Sequence, residues 1–407
     1  MKDNRLYTPD GTADLLISAC NSSKNLQDEF LGCFKSYGYD IVEPPMFEYI
    51  DVFTDKNKNT DLTSMIKFFD ANGDILAMRP DFTPAIARMS ATKFADKSIL
   101  KLGYTGKAFL NNEAYSNVRQ KEFIQAGVEF MGEGGTQADS EIIALTVDAL
   151  LKSGLKSFQI EIGHAGFFKG IVMQAGLDND AEDELRDILN RKDFISIQSF
   201  LNEHNVNSAL AEIISQLPYL FGDISVVEKV NTDGLNDLSK QALAELKEIY
   251  TILCEYELEK YISFDLGLAQ NFDYYTGMIF KGFAHHVGFP ICGGGRYDTL
   301  IKRFGKNMPS TGVALWVDRI LAALERSGAE FETPAADYLI SYENGYRKEA
   351  IALAKKIRET GKACEIYMGC GNAVDYAKEK CIMRFVSLGS DIKCVDTVSG
   401  RPLEIEA

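Results

Sequence analysis

The spacing of hydrophobic and polar positions predicts one helix and then several strands in the first third of the chain. Apolar residues recur at helical spacing over residues 26–37. Residues 65–70 and 74–79 have strand character and flank Asn72-Gly73, a dipeptide typical of tight hairpin turns. Further strands are predicted at 40–45, 99–105 and 123–131. This order favours an α+β fold in which helices flank an antiparallel sheet, rather than alternating βαβ units.

The pattern changes twice in the rest of the chain. Helical spacing dominates from about residue 171 to 262 and predicts a helical insertion in a first domain covering residues 1–328. Residues 329–337 contain Pro334 and are predicted to form a linker, because proline ends the preceding helix. A strand-helix-strand order then predicts a small α/β domain at 338–407.

Composition narrows the class of protein without identifying its function. With 46% hydrophobic and 25% charged residues, the 407-residue chain has the balance of a soluble globular protein. It contains no run near the ~20 apolar residues that a bilayer-spanning helix needs, and no apolar segment typical of secretion near its start. A cytoplasmic location without membrane association is therefore expected.

Charge and cysteine usage argue against two kinds of ligand. The formal net charge is −16, and no block of lysine and arginine supplies the concentrated basic surface that phosphate contacts need, so tRNA binding is not expected. The eight cysteines include no Cys-x-x-Cys pair, and His285-His286 has no cysteine partners at zinc spacing. No metal site and no cofactor are predicted.

Asp81 and Thr83 are the first candidates for binding a small polar ligand. On an extended chain they lie on one side, where a carboxylate and a hydroxyl can bind the ammonium group of an amino acid. The alternative is structural. The segment can instead be a strand-to-helix turn in which Thr83 caps a helix that begins at Pro84.

Further candidates occur on two predicted strands. Gln125 and Glu129 share one face with Gly127 between them, which leaves room for an imidazole or an amino group. Tyr274 and Tyr275 combine an apolar ring with a hydrogen-bonding hydroxyl, although adjacent strand residues point to opposite faces. The structural alternatives are a solvated strand face for the first pair and tyrosines packed in a sheet for the second.

Taken in order, these segments resemble the histidyl-tRNA synthetase catalytic domain, which has a class II synthetase fold. The matching segments span roughly residues 7–325 apart from the helical insertion. The resemblance implies that Asp81, Thr83, Gln125, Glu129 and a tyrosine of the 274–275 pair contact histidine. The matching segments are 8–16, 38–45 (similar to the class II dimer motif), 79–88, 125–129, 273–277, 293–298 and 312–319.

The chain departs from the synthetase pattern where catalysis needs positive charge. Leu110 or Asn111 stands at the position of an arginine that holds acyl and phosphate oxygens, and Gln270 replaces the arginine before the paired tyrosines. Because one lost preorganised donor typically lowers a rate about 10²–10³-fold, we predict no catalytic residues and no useful adenylation. Arg319 remains, but Trp316 stands where the family has a glycine, and its indole is expected to fill the nucleotide site.

The chain is therefore more similar to the synthetase-like regulatory subunits of ATP phosphoribosyltransferase. That resemblance implies a short-form catalytic subunit as partner, histidine as a feedback effector, and a homodimer within a hetero-oligomer. One alternative is a divergent histidyl-tRNA synthetase, which needs a basic tRNA-binding face on residues 338–407. Another is a synthetase-like enzyme acting on a different acceptor.

Overall fold

A computed structural model describes residues 4–54, 62–111, 120–268, 275–329 and 335–405. The chain divides into two compact units, Met1–Glu330 and Phe331–Ala407. Each unit has its own sheet and its own buried core.

Helices and strands both occur throughout the described residues. The α-helices are α1 (Ile17–Ser36), α2 (Thr83–Thr92), α3 (Thr136–Lys152), α4 (Ala165–Ala175), α5 (Asn179–Asn190), α6 (Phe194–Glu203), α7 (Ser208–Gln216), α8 (Ser225–Glu228), α9 (Asp237–Glu255), α10 (Val317–Arg326), α11 (Arg347–Glu359) and α12 (Ala373–Glu379). The strands are β1 (Asp40–Ile41), β2 (Phe47–Tyr49), β3 (Lys67–Phe69), β4 (Ile75–Met78), β5 (Leu100–Phe109), β6 (Glu122–Met131), β7 (Phe158–His164), β8 (Phe221–Gly222), β9 (Ile262–Asp265), β10 (Met278–Ala284), β11 (Pro290–Arg296), β12 (Ser310–Trp316), β13 (Tyr338–Tyr342), β14 (Cys364–Ile366), β15 (Arg384–Leu388) and β16 (Ile392–Asp396).

The main sheet of the first unit has nine strands within the described residues. Its order is β1-β5-β6-β12-β11-β10-β7-β9-β8. The four long neighbours β5, β6, β12 and β11 pair antiparallel, and β6 lies between β5 and β12. Each side chain of β6 therefore has a neighbouring strand on either side of it within the sheet.

Two details of this sheet differ from the sequence prediction. The sheet is mixed rather than purely antiparallel, because β1 pairs parallel with β5 and β7 pairs parallel with β9. The predicted length of the strand through Pro45 was wrong, because β1 ends at Ile41. Pro44 and Pro45 have no backbone N–H to continue the ladder.

The predicted hairpin is confirmed as part of a separate three-stranded sheet, β2-β4-β3. Phe69 of β3 pairs with Ile75 of β4 across the turn. The Asp70 carboxylate accepts hydrogen bonds from the backbone N–H groups of Asn72 and Asp74, and Gly73 has a φ of +88° that glycine adopts without strain. The hairpin is thus specified by its own turn residues.

Side-chain caps mark the beginnings of the helices between residues 165 and 255 except α8. α4 begins at Ala165, earlier than the predicted boundary near 171, because His164 caps it by accepting a hydrogen bond from the Gly166 N–H. Four further caps each accept a hydrogen bond from a backbone N–H in the first turn, as N-cap aspartate and asparagine typically do. They are Asp178, Asp193, Asn207 and Asn236.

The second unit is a four-stranded sheet of order β14-β13-β15-β16. β13 pairs parallel with both β14 and β15, whereas β16 returns antiparallel to β15. α11 buries Ala350, Ala354 and Ile357, which recur at helical spacing and complete the core of the unit.

No helix in the described part of the chain is both long enough and apolar enough to cross a bilayer.

A buried ion pair joins α3 to the end of β11. Nη2 of Arg296 lies 2.8 Å from Oδ1 of Asp139, and Nε lies 3.0 Å from Oδ2. Both side chains are almost fully buried, and Arg296 also donates to the carbonyl oxygen of Gly135 at 3.0 Å. The pair therefore fixes the strand end immediately before Tyr297.

We predict that Arg296→Ala lowers the free energy of unfolding of the first unit by about 3–5 kcal/mol, because it leaves the Asp139 charge buried without its partner. The sole tryptophan, Trp316, lies in this unit, so its fluorescence during urea denaturation reports on the unit alone. Lys97→Ala is the control, since the Lys97–Asp96 pair is exposed, and it should change stability by less than about 0.5 kcal/mol. Equal effects of the two substitutions would show that the buried pair is not structural.

Candidate functional site

A cluster of polar side chains lies where the beginning of α2 meets β5 and β6. Asp81 lies just before α2, and Thr83 is the first residue of that helix. Gln125 and Glu129 lie on β6, four residues apart, so the two-residue period of a strand directs both side chains to the same face. We call these four residues together with Tyr297 the recognition pocket.

Hydrogen bonds join the two sides of the recognition pocket. Oγ1 of Thr83 donates to Oε1 of Glu129 at 2.6 Å. Nε2 of Gln125 donates to Oδ1 of Asp81 at 3.1 Å, and the Phe82 N–H donates to the same oxygen at 2.7 Å. The four residues that the sequence singled out therefore come together in space.

The structural alternative for Thr83 was correct about the turn from strand to helix, since β4 ends at Met78 and α2 follows, but it was wrong about the cap. α2 begins at Thr83 itself, and the residue before it, Phe82, makes no side-chain cap. The Thr83 hydroxyl is committed to Glu129 rather than to the backbone of the helix. Thr83 is thus a pocket residue rather than a helix cap.

Tyr297 is a pocket residue that the sequence pattern did not single out. Its hydroxyl donates to Oε2 of Glu129, so both carboxylate oxygens of Glu129 accept hydrogen bonds. The segment Gly293-Gly-Gly-Arg-Tyr-Asp298 could have indicated this role. Tyr297 follows Arg296, and adjacent residues of a strand face opposite sides. Arg296 reaches Asp139 while Tyr297 reaches the pocket.

Aromatic rings form the wall beside these polar groups. Phe82 and Tyr104 stack with their ring centroids 4.3 Å apart. Tyr275 packs against the cluster that contains both rings. Within the described residues, the buried hydroxyl of Tyr104 and the buried Oε1 of Gln125 have no hydrogen-bond partner. Unsatisfied buried polar atoms at one site are typical of groups that a ligand completes.

Two glycines make room for the pocket side chains. A Cβ atom at Gly312 would overlap Oε2 of Glu129, and one at Gly127 would overlap the Tyr104 hydroxyl. Real Cβ atoms do not approach other atoms this closely, so any larger residue at either position would displace the pocket group. Glu129 and Tyr104 therefore depend on glycine in neighbouring strands.

Burial of the two carboxyl groups changes their acidity. Desolvation raises the pKa of Glu129 to about 8, although hydrogen bonds from Thr83 and Tyr297 oppose the shift. Desolvation also raises the pKa of Asp81, against hydrogen bonds from Gln125 and Phe82. The nearby Asp81 carboxylate raises the Glu129 pKa further, so a cation between the two groups would stabilise both charges.

The guanidinium groups near the pocket are engaged elsewhere. Arg79 donates to the carbonyl oxygens of Lys107 and Pro44, both at 2.8 Å, and lies 3.8 Å from the Phe82 ring centroid. Arg296 pairs with Asp139. The described side chains of the recognition pocket therefore carry no positive charge.

The Trp316 indole, which was expected to fill a nucleotide site, lies against Arg319 in the structure. The guanidinium carbon of Arg319 lies 4.5 Å from the Trp316 ring centroid, and Nη1 donates to the Pro290 carbonyl oxygen at 2.8 Å. A Cβ atom at Gly293 would lie only 3.4 Å from the indole. The indole thus covers the glycine strand and stacks on the remaining arginine.

Of the residues at or near the arginine positions of the synthetase pattern, the structure describes Leu110 and Asn111 but not Gln270. The Asn111 N–H donates to the Ser64 carbonyl oxygen at 2.7 Å, so this exposed residue is tied to the turn at 62–64 rather than to the pocket. Leu110 lies beside it and is uncharged. Gln270 and Tyr274 lie outside the described residues, so their assignment stays a prediction.

This arrangement can bind a small ligand rich in hydrogen-bond donors. The acceptors include the two carboxyl groups, Oε1 of Gln125 and the Tyr104 hydroxyl. An ammonium group and an imidazole supply complementary donors. No group of three or more histidine, cysteine, aspartate or glutamate side chains in the described ranges is arranged to hold a metal ion.

Comparison with known proteins identifies a matching family model and several relatives that share one name. The family model described as histidyl-tRNA synthetase matches residues 11–320. The ATP phosphoribosyltransferase regulatory subunit of Acetivibrio thermocellus is 40% identical over 97% of this chain and 94% of its own length. The protein of the same name from Ruminiclostridium cellulolyticum is 39% identical over 92% of this chain and 90% of its own length.

Solved structures agree on the fold of the whole chain. A Bacillus halodurans structure described as an ATP phosphoribosyltransferase regulatory subunit/histidyl-tRNA synthetase has a TM-score of 0.83 and 29% identity, and covers 95% of this chain and 98% of its own. The Nostoc histidyl-tRNA synthetase also has a TM-score of 0.83, at 18% identity over 98% of this chain and 96% of its own. The second match shows that the fold persists at low identity, and the predicted synthetase-like α+β fold is confirmed.

We predict that Glu129→Gln makes stability less dependent on pH. Because the pKa of folded Glu129 is about 8, above its ordinary 4.5, the folded state binds this proton more tightly than the unfolded state. The contribution of Glu129 to the free energy of unfolding is therefore greatest at low pH and falls as pH rises towards 8, by on the order of 4 kcal/mol between pH 5 and pH 8. The glutamine variant should lose less stability over that interval in urea denaturation followed by Trp316 fluorescence. Parallel curves for the two proteins would contradict the shifted pKa.

Proposed function

The chain belongs to the family of ATP phosphoribosyltransferase regulatory subunits, and we propose that it acts as the regulatory subunit of a short-form ATP phosphoribosyltransferase. It binds the catalytic subunit, supports formation of phosphoribosyl-ATP at the first step of histidine biosynthesis, and mediates inhibition by histidine. The identity of about 40% over almost the whole chain carries this proposal.

Histidine is the effector that the recognition pocket fits best. Its ammonium group can lie between Asp81 and Glu129, whose pKa values are raised by desolvation and whose charged forms a cation would stabilise. Its imidazole N–H can donate to the unsatisfied Oε1 of Gln125 or to the Tyr104 hydroxyl. Both interactions are stronger in a buried site than in water.

The proposed role is non-catalytic. Adenylation would require positive charge on the transferring phosphate, and the described guanidinium groups of Arg79 and Arg296 are held by carbonyl oxygens and by Asp139. Leu110, Asn111 and Gln270 are uncharged in the sequence. The pocket therefore retains groups that recognise an amino acid without those that activate it.

The chain further acts as a homodimer within the hetero-oligomer. One face of the three-stranded sheet exposes large apolar side chains, with Phe47 50%, Tyr49 56% and Phe68 37% exposed. Phe47 and Phe68 also stack edge to face at 5.4 Å, which makes the patch continuous. Such a patch is typical of a surface covered by another protein chain.

The first experiment measures phosphoribosyl-ATP formation by a short-form catalytic subunit with and without this chain. We expect complex formation on size-exclusion chromatography, a higher rate in the complex, and inhibition by added histidine. Gln125→Met should keep the stimulation but raise the half-inhibitory histidine concentration about tenfold or more, because it removes buried hydrogen bonds to the ligand. Gln198→Met is the matched control and should behave as the unaltered chain, because Gln198 is an exposed glutamine on α6 whose amide donates to the Ser215 hydroxyl.

Two results of this experiment would count against the proposal in different ways. Absence of a complex would reject the regulatory role itself. A normal complex in which Gln125→Met leaves histidine inhibition unchanged would reject the recognition pocket as the effector site and retain the regulatory role.

The second experiment tests the non-catalytic role by histidine-dependent exchange between ATP and pyrophosphate. With two cationic donors missing, the rate should lie at least about 10⁴-fold below that of a histidyl-tRNA synthetase assayed in parallel. Exchange within about tenfold of that enzyme would instead identify the chain as a divergent synthetase.

A further inference from the structure

A cavity of about 600 Å³ lies in the first unit, away from the recognition pocket. This volume is within the range of small-molecule sites, roughly 300–1,000 Å³. We call it the basic groove. It is lined by Lys156, Ser157, Phe158, Gln159, Lys260 and Tyr261, and by residues 283–286, which include His285 and His286.

The strand order explains why these distant residues meet. β10, β7 and β9 are neighbours in the main sheet, with β7 antiparallel to β10 and parallel to β9. The beginnings of β7 and β9 therefore share an edge with the end of β10, where Ala284 pairs with Phe158. Tyr275 lies before the opposite end of β10, and seven strand residues separate the two ends by roughly 20 Å.

The charge of the groove is opposite to that of the chain. The protein carries a formal net charge of −16, yet the groove residues include two lysines and two histidines and no aspartate or glutamate. Glu259 precedes Lys260 in sequence but does not line the groove. Among the described residues, neither lysine takes part in an ion pair. Two ammonium groups are therefore available to an anion.

The floor of the groove is apolar and already packed. Phe158 and Tyr261 stack with ring centroids 4.8 Å apart, and the Lys260 ammonium lies 4.9 Å from the Tyr261 ring. Because the Tyr261 ring already contacts Phe158 and Lys260, it does not provide a surface on which the base of a nucleotide could stack. Recognition in the groove consequently depends on charge and on the hydrogen-bond donors at its rim.

The turn that carries the histidines is held in a strained conformation. His286 has a φ of +66°, which is uncommon for a residue with a side chain. Nη1 of Arg326 donates to its carbonyl oxygen at 2.8 Å and helps to hold it there. Strained residues of this kind concentrate at binding sites, where the surrounding structure maintains them.

We propose that the basic groove binds a small molecule that carries two or more phosphate groups. Lysine ammonium groups bind phosphate as compact point charges, and imidazole N–H, serine and tyrosine hydroxyl groups add hydrogen bonds. The groove holds four such cationic or potentially cationic side chains, more than one phosphate group needs. This site is separate from the histidine site proposed above and does not depend on it.

Isothermal titration calorimetry with inorganic pyrophosphate, at constant ionic strength, tests the proposal on the full chain. We expect saturable binding that is about tenfold or more weaker for Lys156→Glu/Lys260→Glu, because both ammonium charges are reversed. Lys240→Glu/Lys247→Glu is the matched control, since it changes the net charge equally on an exposed face of α9. The control should bind pyrophosphate within about twofold of the unaltered chain.

His286→Gly provides a variant that cannot fail through added strain, because glycine adopts the left-handed conformation readily. It should melt no lower than the unaltered chain and bind pyrophosphate more weakly. The proposal is overturned if pyrophosphate gives no saturable heat, if both double variants weaken binding equally, or if orthophosphate binds as tightly as pyrophosphate.

Discussion

Burial of the Glu129 carboxyl group is the constraint on which the recognition pocket depends. Thr83 and Tyr297 donate to its two oxygens, and glycine at 312 leaves the space that Oε2 occupies. Those donors lie at the beginning of α2 and just beyond β11, so one carboxyl group fixes a helix and two non-adjacent strands of the sheet. A buried charge with so few donors is costly, which is why its pKa is raised to about 8.

A structural feature could be predicted from the sequence when the residues that determine it lie close together along the chain. The Asn72-Gly73 hairpin was predicted correctly because its turn residues are its own partners, and Gln125 and Glu129 were placed on one face because a strand has a period of two. Thr83 was ambiguous because a local cap competed with a partner 46 residues away, and Tyr297 was missed because its partner lies 168 residues away. The parallel pairing of β1 with β5 likewise depends on a distant strand.

The arginines near the recognition pocket are engaged with other groups of the protein. Arg79 and Arg296 lie close to the pocket elements, but their guanidinium groups hold backbone carbonyl oxygens and Asp139. Arg319 stacks on an indole that stands where the synthetase pattern has glycine. The positive charge of these residues therefore contributes to structure, and the side chains of the recognition pocket carry no positive charge. A synthetase-like architecture can in this way serve as a binding domain, since function resides in the site rather than in the fold.

The close approach of Glu129 to Gly312 has a consequence for how such a chain can evolve. While glutamate remains at 129, position 312 cannot accept even a methyl group, although it lies on a regular strand. Shortening the acidic residue would release only part of the space, because a Cβ atom at 312 would also lie 2.6 Å from the Val128 carbonyl oxygen. Glycine at 312 is therefore required by the backbone of β6 as well as by Glu129, and it should persist in relatives that have lost the acid.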